Sequence, residues 1–381
     1  MRKVAIIGGC STVFGKFPQR TCEDLGQEAL AGAITDAGIT PKDVEFASCA
    51  TVYGGFCMGQ RILKEVGITD REIVNVENAC GGGATSFRES WLRIATGQCD
   101  LAIAAGVESM TTSPVAGKLI PPPPDDLDGQ MGLAVPIFFA MMMKRHMYEH
   151  GTTLEQFAGI SVKNHHHGCL NPYSQYQKEL TVEEILDSRM ICDPITLLQC
   201  CPNSDGAAAV VLCAGSIAER YTAKPISVAA SVLGSGDYLY RWKDATFSDM
   251  SHKAAMEAYE MAGIGPQDID CIELHDAFTV SELMHYEDLG LCEKGGGGEL
   301  IDSGATSLGG AIPVNPSGGL LSKGHPLSAT GIAQIVEGLR QLRGIAGKHQ
   351  VHGAKTVLAH VIGGYVAGIE SGAASVHILK V

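Results

Sequence analysis

The chain passes from an apolar run through a glycine-rich turn at Val74-Asn75-Val76-Glu77-Asn78-Ala79-Cys80-Gly81-Gly82-Gly83-Ala84-Thr85-Ser86. The residues before the turn are typical of a strand, and the amphipathic pattern after it predicts a helix. A cysteine where a helix begins lies near unpaired N–H groups, so we expect a lowered thiol pKa and a reactive thiolate. This position favours Cys80 as a nucleophile over the commoner role of cysteine as a small buried side chain.

The composition is that of a folded, well-buried chain. Of its 381 residues, 45% are hydrophobic and 18% are charged, which excludes a disordered chain and leaves room for two domains or one large double domain. The net charge of -14 argues against nucleic acid as the main partner. Any anionic ligand must therefore be held by local hydrogen-bond donors.

The first residues and the cysteines favour a cytoplasmic protein. The apolar run from Val4 to Ile7 stops at glycines and predicts a first strand rather than a signal peptide. No apolar run approaches the length that spans a bilayer, so we expect no membrane partner. Thirteen cysteines without a regular framework fit a reducing compartment better than a disulfide scaffold.

An internal repeat predicts two similar halves. Residues 37–45 and 262–270 share the pattern Ala-Gly-Ile-x-Pro-x-Asp at a constant offset of 225. In both copies a glycine after the last helical turn and a proline beyond it are signals that end a helix. A repeat on this scale indicates two related structural units.

A second pair of matching segments includes the candidate nucleophile Cys80. Ala84-Thr85 corresponds to Ala329-Thr330 at an offset of 245, because both pairs follow a glycine-containing turn and precede an amphipathic helix. The same offset pairs Cys80 with His325. Two reactive side chains would then occupy equivalent helix starts, and a pseudo-twofold axis could bring them together.

A long insertion separates the repeated parts. Residues 113–193 contain the prolines of positions 121–124, acidic residues and several helical patterns. They predict a small helical loop domain over the core, which would serve as a lid or a substrate wall. We expect an N-terminal half over residues 1–225, which includes this loop domain, and a C-terminal half over residues 226–381.

Three later stretches of the sequence each place a histidine at the end of a predicted strand or in a turn. His275 follows an apolar run, His325 lies in a glycine-rich turn, and His360 belongs to a strand that ends in Gly363-Gly364. In open α/β sheets, strand ends are where ligands bind. Each histidine alone would more often be structural, so their meaning depends on whether they meet.

Three blocks resemble the signature blocks of the thiolase superfamily, in order and at family spacing. They are Asn-Ala-Cys-Gly-Gly-Gly at 78–83, His-Asp-Ala-Phe at 275–278 and Gly-His-Pro-Leu-Ser-Ala-Thr-Gly at 324–331. The resemblance covers essentially the whole chain and is nearest to sterol-carrier-protein-type and archaeal thiolases, because His275 stands where other thiolases have asparagine. It implies the thiolase fold, an α/β protein with five αβαβα layers, two repeated halves and an inserted loop domain.

The resemblance also implies a mechanism for cleaving a 3-ketoacyl-CoA. Cys80 would attack the ketone as a thiolate, and His325 would act as the general base for Cys80 and later for the CoA thiol. His275 would stabilise the enolate-like oxygen of the departing acyl-CoA. Backbone N–H groups at Cys80 and at Gly363-Gly364 would form the other oxyanion hole.

One departure from the family concerns the proton donor. Most thiolases carry a second cysteine in a Cys-x-Gly block, but the corresponding block here begins His360-Val361-Ile362 and has no cysteine. His275, His360 or a group from elsewhere could protonate the leaving enolate. We favour His275, and assign His360 a weaker supporting role.

The resemblance further implies the ligands and partners. Coenzyme A would be a substrate that reaches Cys80 past Asn315, Ser317 and Gly318, with no metal held by this chain. We expect a homodimer and a separate small partner protein with a zinc ribbon and an OB fold.

The substrate is less well defined by the sequence than the reaction. Overall likeness favours (S)-2-benzoylsuccinyl-CoA, cleaved to benzoyl-CoA and succinyl-CoA in anaerobic toluene degradation. Phe138 and Phe139 would suit an aromatic pocket, but they would equally suit a hydrophobic lid. The alternatives are an acetoacetyl-CoA or medium-chain thiolase, a condensing ketoacyl synthase, and a non-catalytic acyl-CoA or lipid-binding protein on the same fold.

Overall fold

The computed structural model describes residues 1–122, 124–238, 243–364, 366 and 371–381. Pro123, part of the proline run of the predicted loop domain, lies outside these residues. The strands are β1 (Val4–Ser11), β2 (Phe46–Ala50), β3 (Glu72–Val76), β4 (Leu101–Ser109), β5 (Met190–Cys192), β6 (Ile195–Thr196), β7 (Asp205–Ala214), β8 (Ile226–Gly234), β9 (Cys271–Glu273), β10 (Thr356–Gly363) and β11 (Ala373–Lys380). The α-helices are α1 (Cys22–Ala37), α2 (Met58–Glu65), α3 (Gly82–Ala95), α4 (Leu127–Gln130), α5 (Val135–His150), α6 (Leu154–Leu170), α7 (Val182–Leu186), α8 (Asp249–Ala262), α9 (Thr279–Asp288), α10 (Gly297–Asp302), α11 (Gly319–Lys323) and α12 (Leu327–Arg343).

The main sheet has nine strands whose order is nearly symmetric about its centre. The order is β3-β2-β4-β7-β1-β8-β11-β10-β9, so the first strand of each half, β1 or β8, lies in the middle. These two strands pair antiparallel through Ala5 with Ser227 and Ile6 with Ile226. The predicted boundary at residue 225 immediately precedes β8 and stays a prediction, because the sheet is continuous across it.

Helices cover both outer faces of the sheet and fill the space between its two halves. One apolar cluster joins α1 and α2 to the N-terminal strands, and another joins α8 and α9 to the C-terminal strands. The third cluster contains α3 and α12 and contacts strands of both halves. The α/β architecture with five αβαβα layers is therefore confirmed.

The two central helices cross with their backbones in contact. A Cβ atom added at Gly83 would lie 2.3 Å from the carbonyl oxygen of Ser328, and one at Gly331 would lie 2.5 Å from the backbone nitrogen of Ala84. Only residues without a Cβ atom allow this approach. The crossing brings together the turns that precede α3 and α12, which carry Cys80 and His325.

The sequence repeat corresponds to repeated backbone geometry. Gly38 ends α1 at φ 65° and ψ 30°, and Gly263 ends α8 at φ 65° and ψ 39°. At the second offset, the hydroxyl of Thr85 donates to Gly81 O at 3.0 Å and that of Thr330 donates to Pro326 O at 3.0 Å. Similar local sequences thus adopt similar conformations in the two halves.

The insertion forms helices that pack beside the C-terminal half. It contains α4 to α7 and the strand β5, whose partner β6 follows directly after the insertion. Helix α6 contacts both α9 and α11. Since α11 directly precedes Gly324 and His325, the insertion supports one side of the histidine turn. In the described part of the chain, no helix combines the length and the apolar character needed to cross a bilayer.

Candidate active site

Cys80 lies in a tight turn between β3 and α3. Ala79 has φ 47°, a left-handed conformation that is strained for a residue with a side chain, and Ala79–Gly81 form a short 3-10 turn before α3 begins at Gly82. The Asn78 side chain donates to the Thr85 hydroxyl at 2.8 Å and fixes the turn on the helix. The predicted strand, turn and helix are all present, with Cys80 one short turn before the α-helix.

His325 faces Cys80 with its basic nitrogen. The His325 Nε2 atom lies 3.3 Å from Cys80 Sγ, and its Nδ1 atom lies 2.8 Å from the Thr330 hydroxyl oxygen. Because that hydroxyl donates its own hydrogen to Pro326 O, it accepts from His325, so the ring hydrogen is on Nδ1. Nε2 therefore presents a lone pair to the Cys80 thiol.

His275 completes a group of three side chains. Its ring centroid lies 5.1 Å from that of His325, nearly perpendicular to it, and one of its ring nitrogens lies within 4.8 Å of both Cys80 Sγ and a His325 nitrogen. The residue is 4% exposed, and its Nδ1 atom has no hydrogen-bond partner among the described residues. A buried polar atom without a partner in the protein is suited to a ligand.

Burial controls the charge state of this group. Burial raises the pKa of the Cys80 thiol to about 12, with further contributions from Glu108 and Glu77, while the backbone N–H groups of Gly364 and Cys80 oppose the shift. Burial also lowers the pKa of His325 to about 3. The expectation that the helix start lowers the pKa of Cys80 is wrong, because loss of solvation outweighs the backbone N–H groups. At neutral pH the pair is a thiol and a neutral imidazole.

The paired glycines at the end of β10 lie against the cysteine. A Cβ atom at Gly363 would lie 2.4 Å from Cys80 Cβ, and the Gly364 N–H stabilises the Cys80 thiolate. The structure thus brings both glycines together with Cys80. Two backbone N–H groups, those of Cys80 and Gly364, act at the sulfur.

His360 lies behind this group rather than in it. It is fully buried, its Nε2 atom is 2.9 Å from the Ser251 hydroxyl on α8, and its ring packs 4.5 Å from that of His285. Its neighbours therefore belong to the outer helices of the C-terminal half. This position fits a supporting role better than direct contact with a substrate.

Asn315, Ser317 and Gly318 are buried in a network that supports the strand end before His275. Asn315 accepts from Leu274 N at 2.9 Å, and the Ser317 hydroxyl donates to Glu273 at 2.7 Å. A Cβ atom at Gly318 would lie 2.8 Å from the Gly168 backbone. Because the polar side chains are already bonded within the protein, their role in CoA binding stays a prediction.

Several residues that position the site were not singled out from the sequence. The Asp276 carboxylate accepts from Leu320 N at 2.6 Å and from Leu321 N at 3.2 Å, which ties the His275 block to the helix before His325. The Ser204 hydroxyl accepts from His325 N at 3.0 Å. Asp276 and Thr330 stand inside the recognised sequence blocks and Ser204 stands outside them. The partners of Asp276 and Ser204 are distant in sequence.

The donor atoms of Cys80, His275 and His325 are also close enough to suit a metal ion. All three lie within 4.8 Å of one another. A structural zinc site would need a fourth ligand. The prediction that this chain holds no metal therefore stays a prediction.

Comparison with known proteins shows the family. The thiolase N-terminal domain matches residues 4–216, and the thiolase C-terminal domain-like family matches residues 234–380. Acetyl-CoA acetyltransferase of Methanothermobacter thermautotrophicus is 43% identical, with 100% of both chains covered. Sterol carrier protein 2 of Bos taurus is 42% identical over 95% of this chain and 70% of its own length.

Two further similar proteins are informative. Benzoylsuccinyl-CoA thiolase subunit BbsB of Thauera aromatica is 39% identical over 95% of each chain. The solved structure of an Ltp2-ChsH2(DUF35) aldolase has a TM-score of 0.86 and 27% identity, over 99% of this chain and 97% of its own. With both family domains matched and these relatives aligned over most of its length, this chain belongs to the thiolase family and is an acyltransferase.

Proposed function

We propose that this protein cleaves a 3-ketoacyl-CoA with CoA through an acyl-Cys80 intermediate. The proposal depends on one observation above all: the lone pair of His325 Nε2 lies 3.3 Å from Cys80 Sγ, with Thr330 fixing the tautomer. A nucleophile and an oriented base within hydrogen-bond reach are the requirement for covalent catalysis. The catalytic residues we propose are Cys80, His275 and His325, with His360 in support.

The reaction begins with transfer of the Cys80 proton to His325. The thiolate attacks the ketone carbon, and the resulting alkoxide is held by backbone N–H groups of Cys80 and Gly364. Collapse of this adduct breaks the bond between the α- and β-carbons. The acyl group stays on Cys80, and the enolate of the shorter acyl-CoA departs.

His275 faces the departing enolate in this proposal. Burial lowers its pKa well below the ordinary value, and the nearby His325, His360 and His285 act in the same direction, so the ring is neutral. A neutral imidazole donates one N–H, which suits the enolate oxygen. The sequence interpretation also assigned His275 the proton transfer to carbon.

In the second half of the reaction, CoA releases the acyl group. Once the proton that His325 took from Cys80 has left to replace the one given to the enolate, His325 takes the proton of the CoA thiol. The CoA thiolate attacks acyl-Cys80, and the departing Cys80 thiolate recovers the proton from His325. CoA would approach past residues 315–318. Since those side chains are bonded internally, they would shape the passage rather than hold the ligand.

The first candidate substrate is (S)-2-benzoylsuccinyl-CoA. Phe139 stacks on Phe278 with ring centroids 4.3 Å apart, and Phe278 ends the block that begins with His275. The two rings pack in the apolar cluster of α5 and α9, and α9 directly follows the His275 block in the sequence. The relative from Thauera aromatica, named for this substrate, supports the proposal. Acetoacetyl-CoA is the second candidate, supported by the relative named acetyl-CoA acetyltransferase.

We also propose a cytoplasmic homodimer with a small zinc-ribbon and OB-fold partner. Among the described strands, β3 is the outermost at one end of the sheet, and the side of its backbone away from β2 pairs with none of them, so it could pair with a second copy. The similar solved structure is an assembly that includes a DUF35 protein, which supports a partner of that kind. Light scattering of the chain alone and with the partner would measure both associations.

Mass spectrometry of the intact protein tests the proposed function. Wild type and Cys80→Ser, each with the partner present, would be incubated with benzoyl-CoA, succinyl-CoA and acetyl-CoA. We expect an acyl mass on wild type alone, and the acyl group that loads identifies the substrate. Absence of any adduct would favour the non-catalytic alternative. Loading followed by condensation with a malonyl thioester, with no thiolysis by CoA, would favour a ketoacyl synthase.

A further inference from the structure

Cleavage of the carbon–carbon bond creates a need for an acid. When the bond breaks, its electron pair passes to the α-carbon of the departing acyl-CoA as an enolate, and that carbon must gain a proton. His325 already holds the Cys80 proton at this stage. His275 is neutral because burial lowers its pKa well below the ordinary value, and a neutral imidazole is a weak acid. A different protonated group beside the site would complete the chemistry.

A pair of adjacent cysteines runs between the two histidine blocks. Cys201 N donates to Ala277 O at 2.9 Å, two residues after His275. Three residues further on, Ser204 accepts from the backbone of His325, and Asn203 forms a parallel bridge with His325. The segment from Cys201 to Ser204 is therefore a wall of the site, held to both catalytic blocks by backbone bonds.

The two cysteines point to opposite sides of this segment. Cys200 has φ -114° and ψ 143°, an extended conformation in which neighbouring side chains alternate. The Cys200 thiol donates to Thr196 O at 3.4 Å, and its side chain packs on the apolar cluster of α5 and α9. Cys201 therefore faces away from that apolar cluster, and its side chain is half-buried.

The thiol of Cys201 is in the protonated form that an acid needs. Burial raises its pKa well above the ordinary value, and the nearby Cys200, Cys80 and Asp276 add to this effect. Next to them, His275 is 4% exposed, faces Cys80 and has an unpartnered Nδ1 atom.

We propose that Cys201 is a further catalytic residue, the acid that protonates the α-carbon of the departing enolate. This inference rests on the proposed function. The Cys201 S–H bond breaks, its proton forms the new C–H bond, and its electron pair stays on sulfur as a thiolate. The proton held by His325 then returns to Cys201, which restores both groups before CoA enters. His275 is left to hold the enolate oxygen.

Two measurements on the same variants separate acylation from proton transfer. The first is the acyl mass on Cys80 after incubation with acetyl-CoA or succinyl-CoA, which needs Cys80 and His325 but no α-proton. The second is exchange of the α-hydrogens of the same acyl-CoA in deuterium oxide, followed by NMR. The variants are Cys201→Ala and Cys201→Ser, and Cys200→Ala is the matched control.

We expect Cys201→Ala to load Cys80 like wild type while its α-hydrogen exchange falls by roughly a hundredfold to ten-thousandfold, the usual contribution of a general acid or base. Loading of Cys80 also demonstrates that the variant is folded. Cys200→Ala should retain both activities. Exchange at the wild-type rate in Cys201→Ala would overturn the proposal. Failure of wild type to acylate would instead overturn the proposed function on which it rests.

Discussion

The Nε2 atom of His325 lies 3.3 Å from the Sγ atom of Cys80, although 245 positions separate the two residues. The same offset relates Thr85 to Thr330, whose hydroxyls make equivalent bonds to the backbone. The proposed nucleophile and its base thus occupy equivalent places in the two halves, before the crossed helices α3 and α12. Each half supplies one member of the pair, so neither half would be active alone.

Thr330→Val should lower kcat by roughly tenfold to a hundredfold, because the hydroxyl that fixes the His325 tautomer is lost while the base itself remains. The KM for CoA should change little. Steady-state kinetics would measure both values. Thr330→Ser is the matched control, since it keeps the hydroxyl that accepts from His325 Nδ1. Equal losses in the two variants would contradict a specific role for Thr330.

Alkylation of Cys80 by iodoacetamide should accelerate about tenfold for each pH unit between pH 6 and 9, because only the thiolate reacts. Burial raises the pKa of this thiol to about 12, so the thiolate fraction keeps growing across the whole range. Peptide mapping would follow Cys80 separately from the exposed Cys57. A plateau in the Cys80 rate near neutral pH would indicate a resting thiolate–imidazolium pair instead.

Gly331→Ala should destabilise the protein by about 1–3 kcal/mol, because its Cβ atom would overlap the Ala84 backbone where α3 and α12 cross. Helix propensity alone would predict the opposite sign. The free energy of unfolding in urea would measure the change. A Cβ atom at Gly234 meets nothing within 4 Å, so Gly234→Ala is the control and should be nearly neutral.

Asp276→Ala should cost about 1–3 kcal/mol of stability, since two backbone N–H groups of α11 would lose their acceptor in a buried place. It should also lower kcat, because α11 leads directly into Gly324 and His325. Asp276→Asn keeps an acceptor oxygen and should recover part of both losses. Urea unfolding and steady-state kinetics on the three proteins would show whether stability and activity change together.

Much of the fold and of the proposed site could be predicted from local sequence patterns. The strand, turn and helix around Cys80, and the repeated helix ends at Gly38 and Gly263, follow from alternation, turn residues and capping, which depend on neighbours in the chain. Glycine and proline fix backbone conformation wherever they stand, so the two halves could be matched residue by residue. The motif blocks then predicted the family and the group of Cys80, His275 and His325.

What only the tertiary structure decided depends on groups that are distant in the sequence. Desolvation by the surrounding core raises the pKa of Cys80, which the helix start alone predicted to fall. Ser317 donates a hydrogen bond to Glu273, and Asn315 accepts one from Leu274 N, although the sequence had predicted both residues to lie along the path of CoA. The backbone of Cys201 is held beside the His275 block by a hydrogen bond to Ala277 O. Burial and long-range hydrogen bonds exist only once the two halves have packed, and no local pattern encodes them.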